Sequence, residues 1–218
     1  MEIVFVFDSN YIKLFNICVK TVLRYNPEAH ITIVSTEDLD LPFDVVKMDL
    51  PKGLKHREND RITDATYLKL HLPKLPYDKV IFMDCDMICQ GSLKELWEMD
   101  CDFINLCESH NYSKKQAEEL GHKKYGNTGL MVMNLKELRK INFTEECFKK
   151  FDIPVSLWCH EESILNYSFY DKLKFIDKKY NYCHNREYDE PIDEKDAVII
   201  HYIGAKNKKE MLERSKYE

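Results

Sequence analysis

Ile3-Val4-Phe5-Val6-Phe7-Asp8-Ser9-Asn10-Tyr11 begins with five consecutive apolar residues and stops at a carboxylate. An apolar run without polar alternation is the pattern of a strand buried on both faces, as in a parallel sheet covered by helices. Outward from it, Tyr11–Tyr25 reads as a helix with Ile12, Phe15, Val19 and Val22 on one face. His30–Ser35 and Val45–Met48 read as further short strands. This alternation predicts an α/β fold with a mostly parallel central sheet flanked by helices. A helix from about Ile62 to Leu72 precedes another buried strand, Lys79–Met83. In the less regular second half, strands are expected near Asp102–Cys107, Leu130–Met133 and Val198–His201, and helices near Thr144–Phe151 and Glu161–Tyr170. The long connections Ser109–Lys124 and Tyr180–Lys195 are polar and tyrosine-rich, the character of site-forming loops.

Of 218 residues, 44% are apolar and 12% aromatic, enough for a sizeable core and unlike a disordered chain. At about 150 residues per domain, the length predicts one compact unit over residues 1–218. Within it, a nucleotide-binding half over about 1–100 precedes an acceptor-side half over about 101–218. Lys+Arg 32 against Asp+Glu 38 leaves a net charge of −6, which argues against a polyanion-binding surface, so no nucleic-acid partner is expected. No stretch approaches the roughly 18–20 apolar residues that span a bilayer. Met1–Asp8 also lacks the basic start and cleavage site of a signal peptide. The eight cysteines mostly sit inside apolar runs and form no Cys-x-x-Cys pair, as expected of reduced thiols acting as small hydrophobes. A cytoplasmic protein without a transmembrane segment is expected; peripheral membrane contact and oligomeric state stay open.

Asp-x-Asp occurs at Asp38/Asp40, Asp84/Asp86 and Asp100/Asp102, and roughly one or two such pairs arise by chance in a chain of this composition. Context separates them. Asp84-Cys85-Asp86 directly follows the buried strand Lys79–Met83, which places two carboxylates at the sheet edge where ligand clefts of open α/β folds form. Carboxylates so close repel unless a hard cation bridges them, and Mn²⁺ or Mg²⁺ suits oxygen ligands. The other two pairs read as solvated turns. Asp8, Asn10 and Tyr11 end the first strand with the hydrogen-bonding edge and flat face that a base requires, while Asp8 or Ser9 can also cap the following helix. Glycine-rich phosphate cradles are missing, which argues against dinucleotide oxidoreductases and P-loop NTPases. A bound diphosphate would therefore need a metal and lysines. The tail His201-Tyr202-Ile203-Gly204-Ala205-Lys206-Asn207-Lys208 supplies an imidazole, an acceptable third ligand for Mn²⁺, then a tight turn and lysines suited to a diphosphate. His71, His160 and His184 read as histidines without a ligand role.

Together these residues resemble glycosyltransferase family 8, over about Ile3 to Lys208. These are retaining GT-A enzymes that include glycogenin and bacterial lipopolysaccharide galactosyl- and glucosyltransferases. The resemblance implies a GT-A, Rossmann-like fold with Asp8, Asn10 and Tyr11 on the uracil and Lys69, in Ala65–Leu70, reaching the donor. It places Asp84 and Asp86 on the metal, with Cys85 between them beside the nucleotide. Asn127, in Gly126–Leu135, would contact the donor sugar, His201 the metal and Gly204 the phosphates. Three departures stand out. The family's Asp-Gln pair falls on Glu161-Glu162, which changes the sugar-facing chemistry. Its Lys-Pro-Trp is absent, so either Lys206 or, with a one-residue insertion, Lys208 takes the lysine role. The sequence ends soon after this motif, short of the basic, aromatic C-terminal region that some bacterial members use at membranes.

The implied function is a metal-dependent retaining transfer of a hexose from a UDP-sugar to a glycan, glycolipid or protein-linked hydroxyl. Mn²⁺ (or Mg²⁺) on both phosphates would stabilise the departing UDP. Lys69, Asn127, Glu161 and Glu162 would form the reacting side of the site. The alternatives are a non-catalytic sugar-nucleotide or carbohydrate-binding module and, against the missing glycine-rich opening, a nucleotidyltransferase.

Overall fold

Successive side chains of the opening strand point to opposite sides of a sheet, and both sides are covered. The structure, a computed structural model, describes residues 1–50, 63–150, 160–190 and 192–214. In chain order its first half contains β1 (Glu2–Val6), α1 (Ile12–Tyr25), β2 (His30–Ser35), β3 (Asp44–Lys47), β4 (Lys79–Met83), β5 (Met87–Cys89) and α2 (Lys94–Glu98). There follow β6 (Ile104–Glu108), α3 (Lys114–Glu119), β7 (Gly126–Asn134), α4 (Leu135–Lys140), α5 (Phe143–Phe148) and α6 (His160–Phe169). The chain closes with β8 (Leu173–Ile176), β9 (Tyr182–Cys183), β10 (Ile199–His201) and α7 (Ala205–Arg214).

Seven strands form the central sheet in the order β3-β2-β1-β4-β7-β6-β8. β7 alone runs against its neighbours there, so the carboxyl ends of the other six lie on one edge. Ile3, Phe5, Ile81 and Met83 enter the core beneath α1, whereas Val4, Val6, Val80 and Phe82 enter the core on the α4–α6 side. Two buried faces explain why β1 and β4 carry no polar alternation. Phe15 of α1 anchors the first core, edge-on to Phe5 at 5.1 Å and stacked on Phe7 at 4.7 Å. A second sheet, β5-β10-β9, pairs β5 antiparallel and β9 parallel to β10.

Several expectations need correcting. The helix expected from Ile62 is a 3₁₀ segment, Asp64–Lys74, and Ile62 itself lies outside the described residues. It buries Ala65 and then every residue from Tyr67 to Pro73, so packing from all sides, not one amphipathic stripe, shapes it. α5 begins at Phe143, and Phe151 lies outside the described residues. The connection after Ser109 contains α3, and the one after Tyr180 contains β9. The lysine-bearing tail is helical: α7 buries Asn207 and Met211. No described helix is long and apolar enough to cross a membrane.

Candidate active site

Asp84-Cys85-Asp86 joins β4 of the large sheet to β5 of the small one. Antiparallel pairing of β5 with β10 sets His201 opposite Met87, and Tyr202 N extends it by donating to Asp86 O at 2.8 Å. Backbone pairing thus carries an imidazole from the far end of the chain to the aspartate pair. Ligand atoms of Asp84, Asp86 and His201 all lie within 4.8 Å of one another. His201 Nε2 is 3.2 Å from Asp86 Oδ1 and 3.9 Å from Asp84 Oδ2. Its Nδ1 donates to Asn181 Oδ1 at 2.9 Å. An amide oxygen only accepts, so Nδ1 carries hydrogen and Nε2 is the nitrogen turned to the carboxylates.

Gly129 makes the room. Asp84 N donates to Gly129 O at 2.7 Å, and a Cβ at position 129 would lie 2.3 Å from His201 Cε1 and 2.9 Å from Asn127 Oδ1.

Two lysines complete the electrostatics. Lys69 Nζ, on the buried 3₁₀ segment, lies 3.0 Å from Asp84 Oδ1 and 3.5 Å from Glu161 Oε1. Lys208 Nζ, from α7, lies 3.2 Å from Asp86 Oδ2 and donates to Tyr11 Oη at 3.2 Å. Burial opposes ionisation of Asp86, but His201 and Lys208 override it and hold the carboxyl well below the usual range. Asp84 shifts upward: burial raises it, Lys69 opposes, and repulsion from Asp86 adds to the rise. Burial favours a neutral His201, yet Asp86 lifts its pKa to about 10. Burial likewise works against the charge of Lys69, and Asp84 and Glu161 reverse that.

Glu161 and Glu162 occupy the first turn of α6, and both are buried. Glu161 Oε1 accepts from Thr66 Oγ1 at 2.8 Å. Glu162 Oε2 accepts from Thr128 N at 2.9 Å, Asn127 Nδ2 at 3.1 Å and Thr128 Oγ1 at 3.3 Å. Burial pushes the Glu162 carboxyl up to about 7. Asn127 Oδ1 accepts from Asn181 Nδ2 at 2.7 Å and Gly129 N at 3.0 Å. One connected network therefore runs from Glu162 through Asn127, Asn181 and His201 to Asp86, Lys208 and Tyr11.

The remaining nominated residues divide. Asp8 Oδ1 accepts from Asn10 N at 3.0 Å and caps the turn leading into α1, while the Asn10 side chain is exposed. Cys85 is buried in the core beneath α1, where burial pushes its thiol pKa well up. Gly204 sits at φ +90°, the left-handed conformation that favours glycine, directly before α7. Lys206 stands apart: its side chain is 87% exposed and lies 3.9 Å from Glu210. Asp38, Asp40, Asp100 and Asp102 are all exposed. His184 bonds Glu194 and Glu210, and His71 packs on Phe148. Sequence reasoning missed Thr66, Thr128, Gly129 and Asn181. The first three lie inside quoted motifs, whereas Asn181 lies in the polar connection Tyr180–Lys195 with nothing to single it out. On the same edge of the sheet lies a cavity of about 580 Å³, lined by Glu108, His110, Lys124, Phe175, Asp177 and Tyr188 among others.

Two carboxylates and one imidazole, with the second imidazole nitrogen anchored behind, form a donor set that fits Mn²⁺ or Mg²⁺.

Comparison with known proteins gives the family. The model of glycosyl transferase family 8 matches residues 2–209. Lipopolysaccharide 1,2-glucosyltransferase of Escherichia coli is 30% identical over 58% of this chain and 43% of its own. Glycosyltransferase GlyF of Streptococcus pneumoniae is 25% identical over 93% of this chain and 56% of its own. The chain spans about half the length of these curated relatives. Galactosyltransferase LgtC, solved with donor and acceptor sugar analogs, matches with a TM-score of 0.79 at 17% identity, covering 98% of this chain and 96% of that one. At that identity the likeness shows the fold, the α/β GT-A architecture. Matched over nearly its whole length, the chain belongs to glycosyl transferase family 8.

Proposed function

We propose that this chain is a metal-dependent, retaining hexosyltransferase that moves a hexose from a UDP-sugar to a hydroxyl of a glycan acceptor. The observation that carries the reading is the Asp84–Asp86–His201 cluster, flanked by Lys69 and Lys208 at the carboxyl edge of β4. Asp84, Asp86 and His201 would hold Mn²⁺ or Mg²⁺, which supplies charge stabilisation for a departing diphosphate. Lys208 and the N-terminal turn of α7 after Gly204 add positive potential for the phosphates. Tyr11, linked to Lys208, presents a ring for the uracil, with Asp8 and Asn10 at the end of the same strand.

Lys69 and Glu161 form the donor-sugar side. Glu162, fastened to Asn127 and Thr128, places a carboxylate where the family's glutamine is expected, as a stabiliser of positive charge at the anomeric carbon. The acceptor would enter from the cavity on the same edge of the sheet. Lipopolysaccharide transferases among the relatives support a glycan or glycolipid acceptor.

The test is a panel of UDP-sugars incubated with Mn²⁺ and scored for slow UDP release. Turnover of one sugar, abolished by EDTA, is expected. Binding of UDP-sugar without turnover, even with glycan acceptors present, would instead identify a non-catalytic binding module.

A further inference from the structure

We propose that Lys208 and a divalent cation compete for Asp86, and that this competition makes cation and diphosphate bind as an interdependent pair. The inference rests on the reading of the site as a metal–nucleotide centre and adds a coupling mechanism to it.

Asp86 has both oxygens engaged, Oδ1 by His201 at 3.2 Å and Oδ2 by Lys208 at 3.2 Å. Asp84 Oδ1 is engaged by Lys69 at 3.0 Å. Asp84 and Asp86, with Glu161 behind Lys69, thus face two ammonium groups and the His201 imidazole, so both aspartates are already matched by positive partners. A dication at the aspartate pair adds positive charge within a few ångströms of both lysines and needs carboxylate oxygens that they hold, so the more weakly held lysine gives way.

The two differ in how they are held. The Lys69 side chain is 6% exposed, has Glu161 as a second carboxylate partner and lies over the Phe82 ring at 5.0 Å. It is locked. The Lys208 side chain is 25% exposed, and its other partner is uncharged: the Tyr11 hydroxyl at 3.2 Å and the Tyr11 ring at 4.7 Å. Rotation of its flexible stem can release Asp86 while keeping Tyr11, on the side assigned to the nucleotide. Backbone bonding of Lys208 N to Gly204 O at 3.0 Å keeps this motion local to the side chain. A diphosphate offers the displaced ammonium an anionic partner and cancels the surplus charge of the cation. Without it, the cation displaces Lys208 into water. Linkage makes the effect reciprocal: whatever factor UDP adds to cation affinity, the cation adds to UDP affinity.

The experiment titrates Mn²⁺ into the full chain by electron paramagnetic resonance, with and without saturating UDP, for wild type, Lys208→Met and Lys208→Arg. In wild type, UDP should tighten Mn²⁺ by roughly 10-fold or more, within the usual range of heterotropic coupling. Lys208→Met should bind Mn²⁺ alone roughly 5-fold or more tighter than wild type and lose most of the enhancement by UDP. Lys208→Arg keeps the charge and should behave as wild type. Circular dichroism confirms folding, and the wild-type measurement stands even where a variant fails to fold. Equal Mn²⁺ affinity with and without UDP, while calorimetry still shows metal-dependent UDP binding, overturns the coupling and leaves the nucleotide reading intact. Unchanged affinity for Mn²⁺ alone in a folded Lys208→Met protein overturns the part given to Lys208. No UDP binding under any metal condition removes the nucleotide reading itself.

Discussion

His201 Nδ1 donates to Asn181 Oδ1 across 2.9 Å, and this bond decides which imidazole nitrogen faces Asp84 and Asp86. Asn181 is itself held by donating to Asn127 Oδ1 at 2.7 Å, so the histidine is oriented by a strap just before β9. Asn181→Ala should lower metal-dependent UDP affinity by about 10–100-fold, the usual effect of removing a partner behind a metal-ligating histidine. Asn181→Asp retains an acceptor oxygen and should lose less. Calorimetry of UDP at fixed Mn²⁺ reads both, and no change in either variant would mean that the bond does not orient His201.

Asp84→Asn and Asp86→Asn should each weaken UDP binding in Mn²⁺ far more than Asp38→Asn or Asp100→Asn. The first two remove charge from the 4.8 Å cluster, whereas Asp38 and Asp100 are exposed. Tight UDP binding that is indifferent to EDTA would sink the metal bridge.

A base site built from Asp8, Asn10 and Tyr11 should prefer the small uracil with its N3–H donor. In Mn²⁺, UDP should therefore raise the melting temperature more than GDP or ADP at equal concentration. A larger shift with GDP would reassign the opening motif.

Gly129→Ala tests the close approach. The added Cβ would sit 2.3 Å from His201 Cε1 and 2.8 Å from its Nδ1, so the imidazole must turn or β7 must shift. Overpacking of this kind costs about 1–3 kcal/mol. We expect a folded protein by circular dichroism, a lowered melting temperature and lost metal-dependent UDP binding. Wild-type UDP affinity in that variant would show that His201 is dispensable.

Glu162 gives a pH dependence whose sign is set by burial. Its pKa rises from 4.5 to about 7 on folding, so across that window the folded state keeps a proton that the unfolded chain has lost. Stability from this group therefore falls as pH rises from about 4.5 to 7 and then levels off. Glu162→Gln has no such proton, so its melting temperature should gain on wild type between about pH 5 and 7. Turnover should fall by about 10-fold or less, near 1.4 kcal/mol of barrier, because the amide oxygen can still accept from Thr128 and Asn127. Glu161→Ala should cost more, since it strips a partner from both Lys69 and Thr66. Complete loss of turnover in folded Glu162→Gln, with a glycosyl adduct trapped on the wild type, would favour a covalent mechanism.

Much of this site is legible in the sequence, for local reasons. β1 and β4 announced themselves because both faces are buried and their carboxyl ends carry Asp8, Asp84 and Asp86. The sequence shows a helix near Asp64–Lys74 but not its 3₁₀ form, because burial on nearly every side erases the periodicity that separates 3₁₀ from α. β5 and β9 are three and two residues long, too short to show a pattern, yet they flank the strand that delivers His201.

Two choices belonged to the tertiary structure alone. Residue spacing left Lys206 and Lys208 equal, and the phase of α7 separated them, turning one to solvent and the other to Asp86 and Tyr11. Asn181 and His201 meet because β9 and β10 lie side by side, and no stretch of neighbouring residues encodes that contact. Which strands are buried, where they end and which ligand types stand at those ends follow from residues close together in the chain, because burial and chain punctuation act over a few residues. Which of those ligands meet depends on strand register and helix phase between segments far apart in the chain, and only the folded arrangement fixes these.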